Sequence, residues 1–297
     1  MRPSVVVVMS TYNGEKYLRR QLDSVLSQDA VDLDVVVRDD GSQDDTVTIL
    51  KEYEHSGAIR LIRGRNVGYV KSFFEALSAT GNYDYYCFSD QDDIWMPDKV
   101  SSAVERLEKL PPGPKLYCSD LLFCDENCEH PHPSHLNKIG LGGQLMLYET
   151  ICSGNTMVFN HETKDLALVG GADDVFGHDW WFGLVTCALG KVVWDETPHI
   201  LYRRTGDNTS PTGKNAIELA VYRIRKLVGG GKLPKIRAQI RRFYELYGRM
   251  IDDEDLLRKV RNASEGNRFQ KAFAGGRYRQ KLVDEILLRL VLLLGLL

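Results

Sequence analysis

No stretch of this sequence reaches the ~20 consecutive apolar residues that a membrane-spanning helix needs. The nearest, Ile286 to Leu297, is interrupted by Arg289. The first dozen residues hold one five-residue apolar run, Val5 to Met9, too short for the core of a secretion signal. No G-x-G-x-x-G follows that run, and no G-x-x-x-x-G-K-S/T occurs anywhere, so the two common glycine-rich phosphate loops are missing. Any nucleotide must be held by side chains and a metal instead. The six cysteines are scattered, which suits free thiols in a reducing compartment and places the protein in the cytoplasm. A net charge of −3 excludes a general nucleic-acid binder.

What is present is an alternation. Val5 to Met9 is a β-branched run suited to a central parallel strand, followed by the polar loop Ser10 to Gly14 and a helix from about Glu15 to Gln28. Leu33 to Arg38 and Ile59 to Arg63 read as strands, each followed by a polar loop and a helical stretch. Tyr85 to Phe88 is a fourth strand, and it stops in Asp90, Asp92 and Asp93. Three carboxylates so close repel one another, and a hard divalent cation relieves that repulsion. A solvated turn capping the next helix, which begins near Pro97, is the plainer reading of the same stretch. Four strands alternating with helices predict a parallel α/β sheet with right-handed crossovers.

Beyond Lys115, Leu116 to Phe123 and Ile151 to Phe159 read as strands, the second with a close-approach glycine at Gly154. Lys191 to Asp195 and His199 to Arg204 are two more. Between them, Cys118, Cys124, Cys128, His130, His132 and His135 form no matched set of zinc-ligand pairs, so Cys124 to Gly143 is expected to be a surface loop. From Lys214 onward the pattern is helical, broken at Gly229 to Gly231, and Arg203 to Arg249 carries 12 Lys/Arg against 3 Asp/Glu. Basic helices with apolar residues such as Leu219, Tyr222 and Leu227, followed by the apolar segment Leu282 to Leu297, predict peripheral contact with a membrane surface.

The strand-end loops taken together resemble those of inverting family 2 glycosyltransferases. TYNGEKYL, RDDGSQDDT, RNVG and SDQDDIW follow strands one to four, and HDWW and YRRTGDNTS come later in the same order. The SDQDDIW form is most similar to the rhamnosyltransferase-like branch. The resemblance covers Val5 to about Ser210 and implies a GT-A fold: a mostly parallel sheet flanked by helices, here with a helical C-terminal extension. It implies a glycosyltransferase domain over residues 1–212, with a nucleotide-sugar half at 1–114 and an acceptor half at 115–212, and the helical region at 213–297.

The resemblance also implies roles. Thr11, Tyr12 and Glu15 would line the base and ribose pocket, and Asp39 would accept from the base N3–H, favouring uracil or thymine. Asn66 and Gly68 would approach the donor, with Lys71 a phosphate partner. Asp92 would ligate Mg²⁺ or Mn²⁺, Asp90 would contact the ribose or a metal-bound water or join the metal, and Asp93 would orient the loop or cap the following helix. Asp179 matches the base position, with Trp180 and Trp181 against a sugar and His178 structural. The family often has a histidine after Tyr-Arg in the last motif. Here Thr205 follows Tyr202-Arg203-Arg204, and Arg203 or Arg204 would hold the diphosphate.

The expected function is inverting, metal-dependent transfer of rhamnose or another hexose from a dTDP- or UDP-sugar to a saccharide or lipid-linked glycan in bacterial surface polysaccharide synthesis. Two other readings stand beside it. A nucleotidyltransferase that makes nucleotide sugars would carry a glycine-rich, arginine-bearing loop after strand one, and Thr11 to Gly14 has one glycine and no arginine. A non-catalytic glycan-binding protein on this fold would not need Asp39, Asp90, Asp92 and Asp179 together.

Overall fold

The structure, a computed structural model, describes residues 2–204 and 231–297. Thr205 and the expected helical stretch carrying Leu219, Tyr222 and Leu227 lie outside the described residues. Strands β1 (Ser4–Thr11), β2 (Asp32–Asp39), β3 (Arg60–Arg63) and β4 (Tyr85–Ser89) alternate with helices α1 (Leu18–Leu26), α2 (Thr46–His55) and α3 (Tyr69–Ser78). They pair in parallel in the spatial order β4-β1-β2-β3. The chain therefore winds one way from β1 to β3 and then crosses to the other side of β1. This leaves a topological switch point between the carboxyl ends of β1 and β4, where open α/β sheets bind ligands.

Period-two alternation makes the sheet buried on both sides. Val5, Val7 and Met9 point to one core, with Leu18, Leu22 and Val25 of α1. Val6 and Val8 point to the other, with Phe73, Phe74 and Leu77 of α3. After β5 (Ile94–Trp95) and α4 (Lys99–Glu108), the sheet is extended by β6 (Lys115–Ser119), β9 (Val158–Asn160) and β10 (Lys191–Asp195) to seven strands in the order β10-β6-β9-β4-β1-β2-β3. Only β9 runs antiparallel to its neighbours.

Two expected strands are shorter than the sequence suggests. Leu116 to Phe123 divides into β6 and β7 (Leu122–Cys124), which belong to different sheets. Asp120 makes the break, because its carboxylate accepts from the Ser134 hydroxyl and the Leu136 N–H. Ile151 to Phe159 is extended only in β9. Before it, between α5 (Gly143–Met146) and α6 (His161–Leu168), Gly154–Thr156 forms a 3-10 turn that presses Gly154 against α7 (His178–Leu189). The small second sheet, β5-β11-β7-β8, uses β8 (His132–Pro133) and β11 (Ile200–Arg203). None of the six cysteines is in a disulfide. Cys118 and Cys124 are buried while His130, His132 and His135 are exposed, so these residues form no common centre.

The helices Lys232–Tyr247 and Glu254–Glu265 pack on the face that carries α7. Leu233, Ile236, Ile240 and Phe243 are buried there. Trp180 and Trp181 belong to this core, 5% and 0% exposed, and donate to the carbonyls of Met146 and Ala167. The expectation that they meet a sugar is therefore corrected: the indole faces are spent on packing, Trp181 edge-on to Phe243. Among the described residues no helix is long and apolar enough to cross a membrane.

Candidate active site

The strand-end loops meet at the switch point. Asp39, 2% exposed, ties down the loop after β2: it accepts from the Gly41 and Ser42 N–H groups and from the Ser42 and Thr11 hydroxyls. These contacts engage the four acceptor positions of a carboxylate. Asp40 is equally buried. It takes Arg38 at 2.6 Å and the N–H groups of Val67 and Gly68 at 2.9 Å each, fixing the loop after β3. Gly68 has φ +84, a backbone state that favours glycine, and its turn starts α3.

The acidic loop after β4 has two outward carboxylates and one inward. Asp90 and Asp92 are half-buried and face a cavity of about 420 Å³. Asp93 is 1% exposed and accepts from the Asn155 amide and the Arg203 N–H. It holds the loop, as the resemblance implies. Arg203 is buried with it. Its guanidinium donates to the backbone carbonyls of Asp92 (2.8 Å) and Glu126 and lies 4.3 Å from the Tyr17 ring centre. Burial, then Asp92 and Asp179, push the Asp90 carboxyl up to about 7. Burial raises Asp92 too, opposed by Arg203.

Asp179 lies in the first turn of α7 and is half-buried. Burial pushes its carboxyl up to about 6, opposed by hydrogen bonds from the Trp180 and Gly154 N–H groups. Gly154 is required here: a Cβ would sit 2.8 Å from His178 Nε2 and 3.2 Å from the Asp179 Cβ. His178 stacks on Phe73, ring centres 3.9 Å apart, and burial pushes it down to about 3, so it is a neutral packing group.

Of the residues expected at the donor, Tyr12, Asn66, Gly68, Asp90 and Asp92 line the 420 Å³ cavity. Thr11 lies behind it, buried on Asp39. Glu15 is exposed and accepts from the Asp45 N–H at the start of α2. Lys71 turns away and pairs with Asp173 at 2.9 Å. Arg203 shapes the wall from inside, and Arg204 lies over the Phe123 ring. Sequence reasoning missed Gln91, Tyr69 and Tyr202, which also line the cavity. Gln91 stood inside SDQDDIW, so its position was the available signal.

The acidic pair fits a hard cation. The Asp92 charge raises Asp90, and Mg²⁺ or Mn²⁺ takes one or two carboxylates together with substrate phosphates. Fixed acids beside an open cavity, at the switch point of a mostly parallel sheet, define a glycosyltransferase of the GT-A class. The chain belongs to the family described as Glycosyl transferase family 2, whose pattern matches residues 6–162. It is 28% identical to the dTDP-rhamnosyl transferase RfbG of Shigella flexneri, over 97% of this chain and 100% of that protein. It is 37% identical to the putative glycosyltransferase EpsE of Bacillus subtilis, over 36% of this chain and 39% of that one. Its fold is similar to S. aureus TarS 1–349 in complex with UDP-GlcNAc, at TM-score 0.56 and 15% identity over 99% of this chain and 91% of that one. It is also similar to the mannosyltransferase PcManGT of Pyrobaculum calidifontis in complex with GDP-Man and Mn²⁺, at TM-score 0.53 and 18% identity over 100% and 81%.

Proposed function

We propose that this enzyme transfers a rhamnosyl or related hexosyl unit from a dTDP- or UDP-sugar to a saccharide hydroxyl, with inversion, in the assembly of a bacterial surface glycan. The observation that carries the reading is that Asp90 and Asp92 line one cavity, with Asp179, itself raised by burial, close enough to raise Asp90. The likeness to the Shigella flexneri protein supports rhamnose and a dTDP donor.

In this reading Tyr12 stacks on the base, Asn66 and Gly68 approach the sugar diphosphate, and Asp90 and Asp92 hold Mg²⁺ or Mn²⁺. A bound divalent cation supplies the positive charge that offsets charge developing on the leaving diphosphate. Asp39 meets the base N3–H by exchanging its bond from the Ser42 hydroxyl for one from the base. The Asp179 carboxylate takes the proton of the acceptor hydroxyl. That oxygen bonds to the anomeric carbon from the opposite face. The bond from this carbon to the diphosphate oxygen breaks, and its electron pair leaves with the diphosphate. Thr11 and Arg203 hold the loops, and Glu15 and Lys71 stay outside the cavity.

We place the glycosyltransferase domain at residues 1–212, its nucleotide-sugar half at 1–114 and its acceptor half at 115–212, with 213–297 as a helical region. We also place the protein at the cytoplasmic face of the cell membrane. Exposed Leu282, Val283, Ile286 and Leu290 on the helix Leu282–Leu293, with exposed Phe269 and Phe273, support contact with the lipid surface. The decisive test supplies dTDP-rhamnose and a set of UDP-sugars with Mn²⁺ and follows release of the nucleoside diphosphate. Release that is absent with every donor, or unchanged in Asp179→Asn, overturns the reading.

A further inference from the structure

Two more hollows open in line along α3. One of about 670 Å³ shares Gly68 and Tyr69 with the donor cavity and runs between the start of α3, the loop 172–176 and the start of the helix Lys232–Tyr247. The next, of about 540 Å³, shares Lys71, Ala172 and Asp173 with it and continues to Ser78 and Ala79 at the far end of α3. A ten-residue helix is about 15 Å long, so the groove outreaches a single sugar ring.

The lining decides the class of ligand. Asp173, Asp174 and Glu75 stand against Lys71 and Lys235, so the described lining carries no excess of positive charge for a phosphate or an acidic headgroup. Lys71 is paired with Asp173, and Glu75 with Arg38. Apolar Val70, Phe74, Leu168, Val175, Phe176 and Ala238 lie among these charges. Carboxylates that accept from hydroxyls, set between small apolar surfaces, match the edges and faces of neutral sugar rings.

Tyr69 stands where the groove meets the donor cavity. It is 57% exposed, its phenol donates to the Phe176 carbonyl at 3.3 Å, and its ring lies edge-on to His178. After burial, the charges of Asp179 and then Asp90 hold its ionisation up, so it lies near both carboxylates.

We propose that the groove along α3 binds a neutral oligosaccharide acceptor in extended form, with its terminal sugar against Tyr69 and the preceding units running toward Ser78. This rests on the glycosyltransferase reading above and names its acceptor as a sugar chain. The bond-making step is the one already described, with the terminal hydroxyl presented to Asp179.

The test is titration calorimetry with neutral oligosaccharides of the rhamnose, glucose, mannose and N-acetylglucosamine series, each from one to six units, and an oligogalacturonate as the anionic control. At least one series should bind more tightly as it lengthens. Ala172→Trp, at the shared wall, and Ser78→Trp, at the far end on the surface, should each weaken the longest chain about tenfold. Ser78→Trp should leave the monosaccharide unaffected. Affinity for dTDP and UDP reports folding in both variants. Equal affinity for one unit and six, preference for the oligogalacturonate, no binding of any chain, or unaltered binding in both variants overturns the proposal. Failure of wild-type protein to bind any nucleotide or release it from any donor would instead strike the donor reading.

Discussion

Gln91 grips Tyr12 at two points: its Oε1 accepts the Tyr12 N–H at 2.9 Å, and its Nε2 donates to the Tyr12 carbonyl at 3.1 Å. This pair joins the loop after β1 to the loop after β4 across the switch point. Gly14 makes room for it, since a Cβ there would lie 2.3 Å from Gln91 Oε1. Gln91→Ala removes two hydrogen bonds worth about 1 kcal/mol each. The donor KM should rise about tenfold, with kcat changed far less. An unchanged KM in steady-state kinetics would show that the clamp does not set the Tyr12 ring.

In the proposed mechanism Asp179 must be ionised to take a proton. With its carboxyl raised to about 6, the transfer rate should climb from pH 5 to 7 and then level. Asp179→Asn should lower the rate by roughly 10²–10⁴, leave nucleotide affinity intact and abolish that limb of the profile. A rising limb that survives in the variant would assign it to another group.

The same shift has a consequence for stability. A carboxyl raised on folding stabilises the protein fully below its unfolded value, near 3.8, and that contribution is lost as pH rises through about 6. At pH 7.5 the wild-type protein therefore holds a half-buried charge that Asp179→Asn lacks. Scaled down for partial solvent screening, the variant should be more stable by about 1–2 kcal/mol at pH 7.5, and the difference should vanish near pH 4. Denaturant melts at the two pH values measure this directly. A less stable variant at pH 7.5 would contradict it.

The proposed cation site is Asp90 and Asp92. Mn²⁺ added with dTDP or UDP should raise the melting temperature beyond either alone. Asp92→Ala should erase the extra increment and reduce transfer to the level seen with a chelator. An equal increment in both proteins would move the cation elsewhere.

The exposed stripe on the helix Leu282–Leu293 predicts sedimentation with vesicles that contain anionic phospholipid. Ile286→Asp combined with Leu290→Asp should release the protein from them, because both side chains are more than half exposed and contribute little to the core. Equal sedimentation of the variant and the parent protein would discard this surface.

Much of the frame is legible in the sequence. Val5 to Met9 and Tyr85 to Phe88 read as buried strands, and both are. Gly154 read as a close-approach glycine, and it is, although the strand placed around it is a 3-10 turn. The turn depends on packing against α7, which begins more than 20 residues later, and no local pattern encodes that contact. Trp180 and Trp181 show the same limit. Their place after Asp179 suggested a sugar platform, but Phe176 and Met146 take up Trp180, and the helix Lys232–Tyr247 supplies the surface that covers Trp181.

The sequence by itself determined the alternating α/β order, the polar loop at each strand end and the run of acids closing β4. These follow from side-chain periodicity and the cost of burying charge, which act over a few residues. Tertiary structure alone decided which acids face the cavity and which props the loop, that Lys71 turns toward Asp173, that Gln91 holds Tyr12, and that Tyr69 joins the donor cavity to a groove along α3. Each depends on distances between segments far apart in the chain, which are fixed only when the sheet closes its order and the helices settle on its faces.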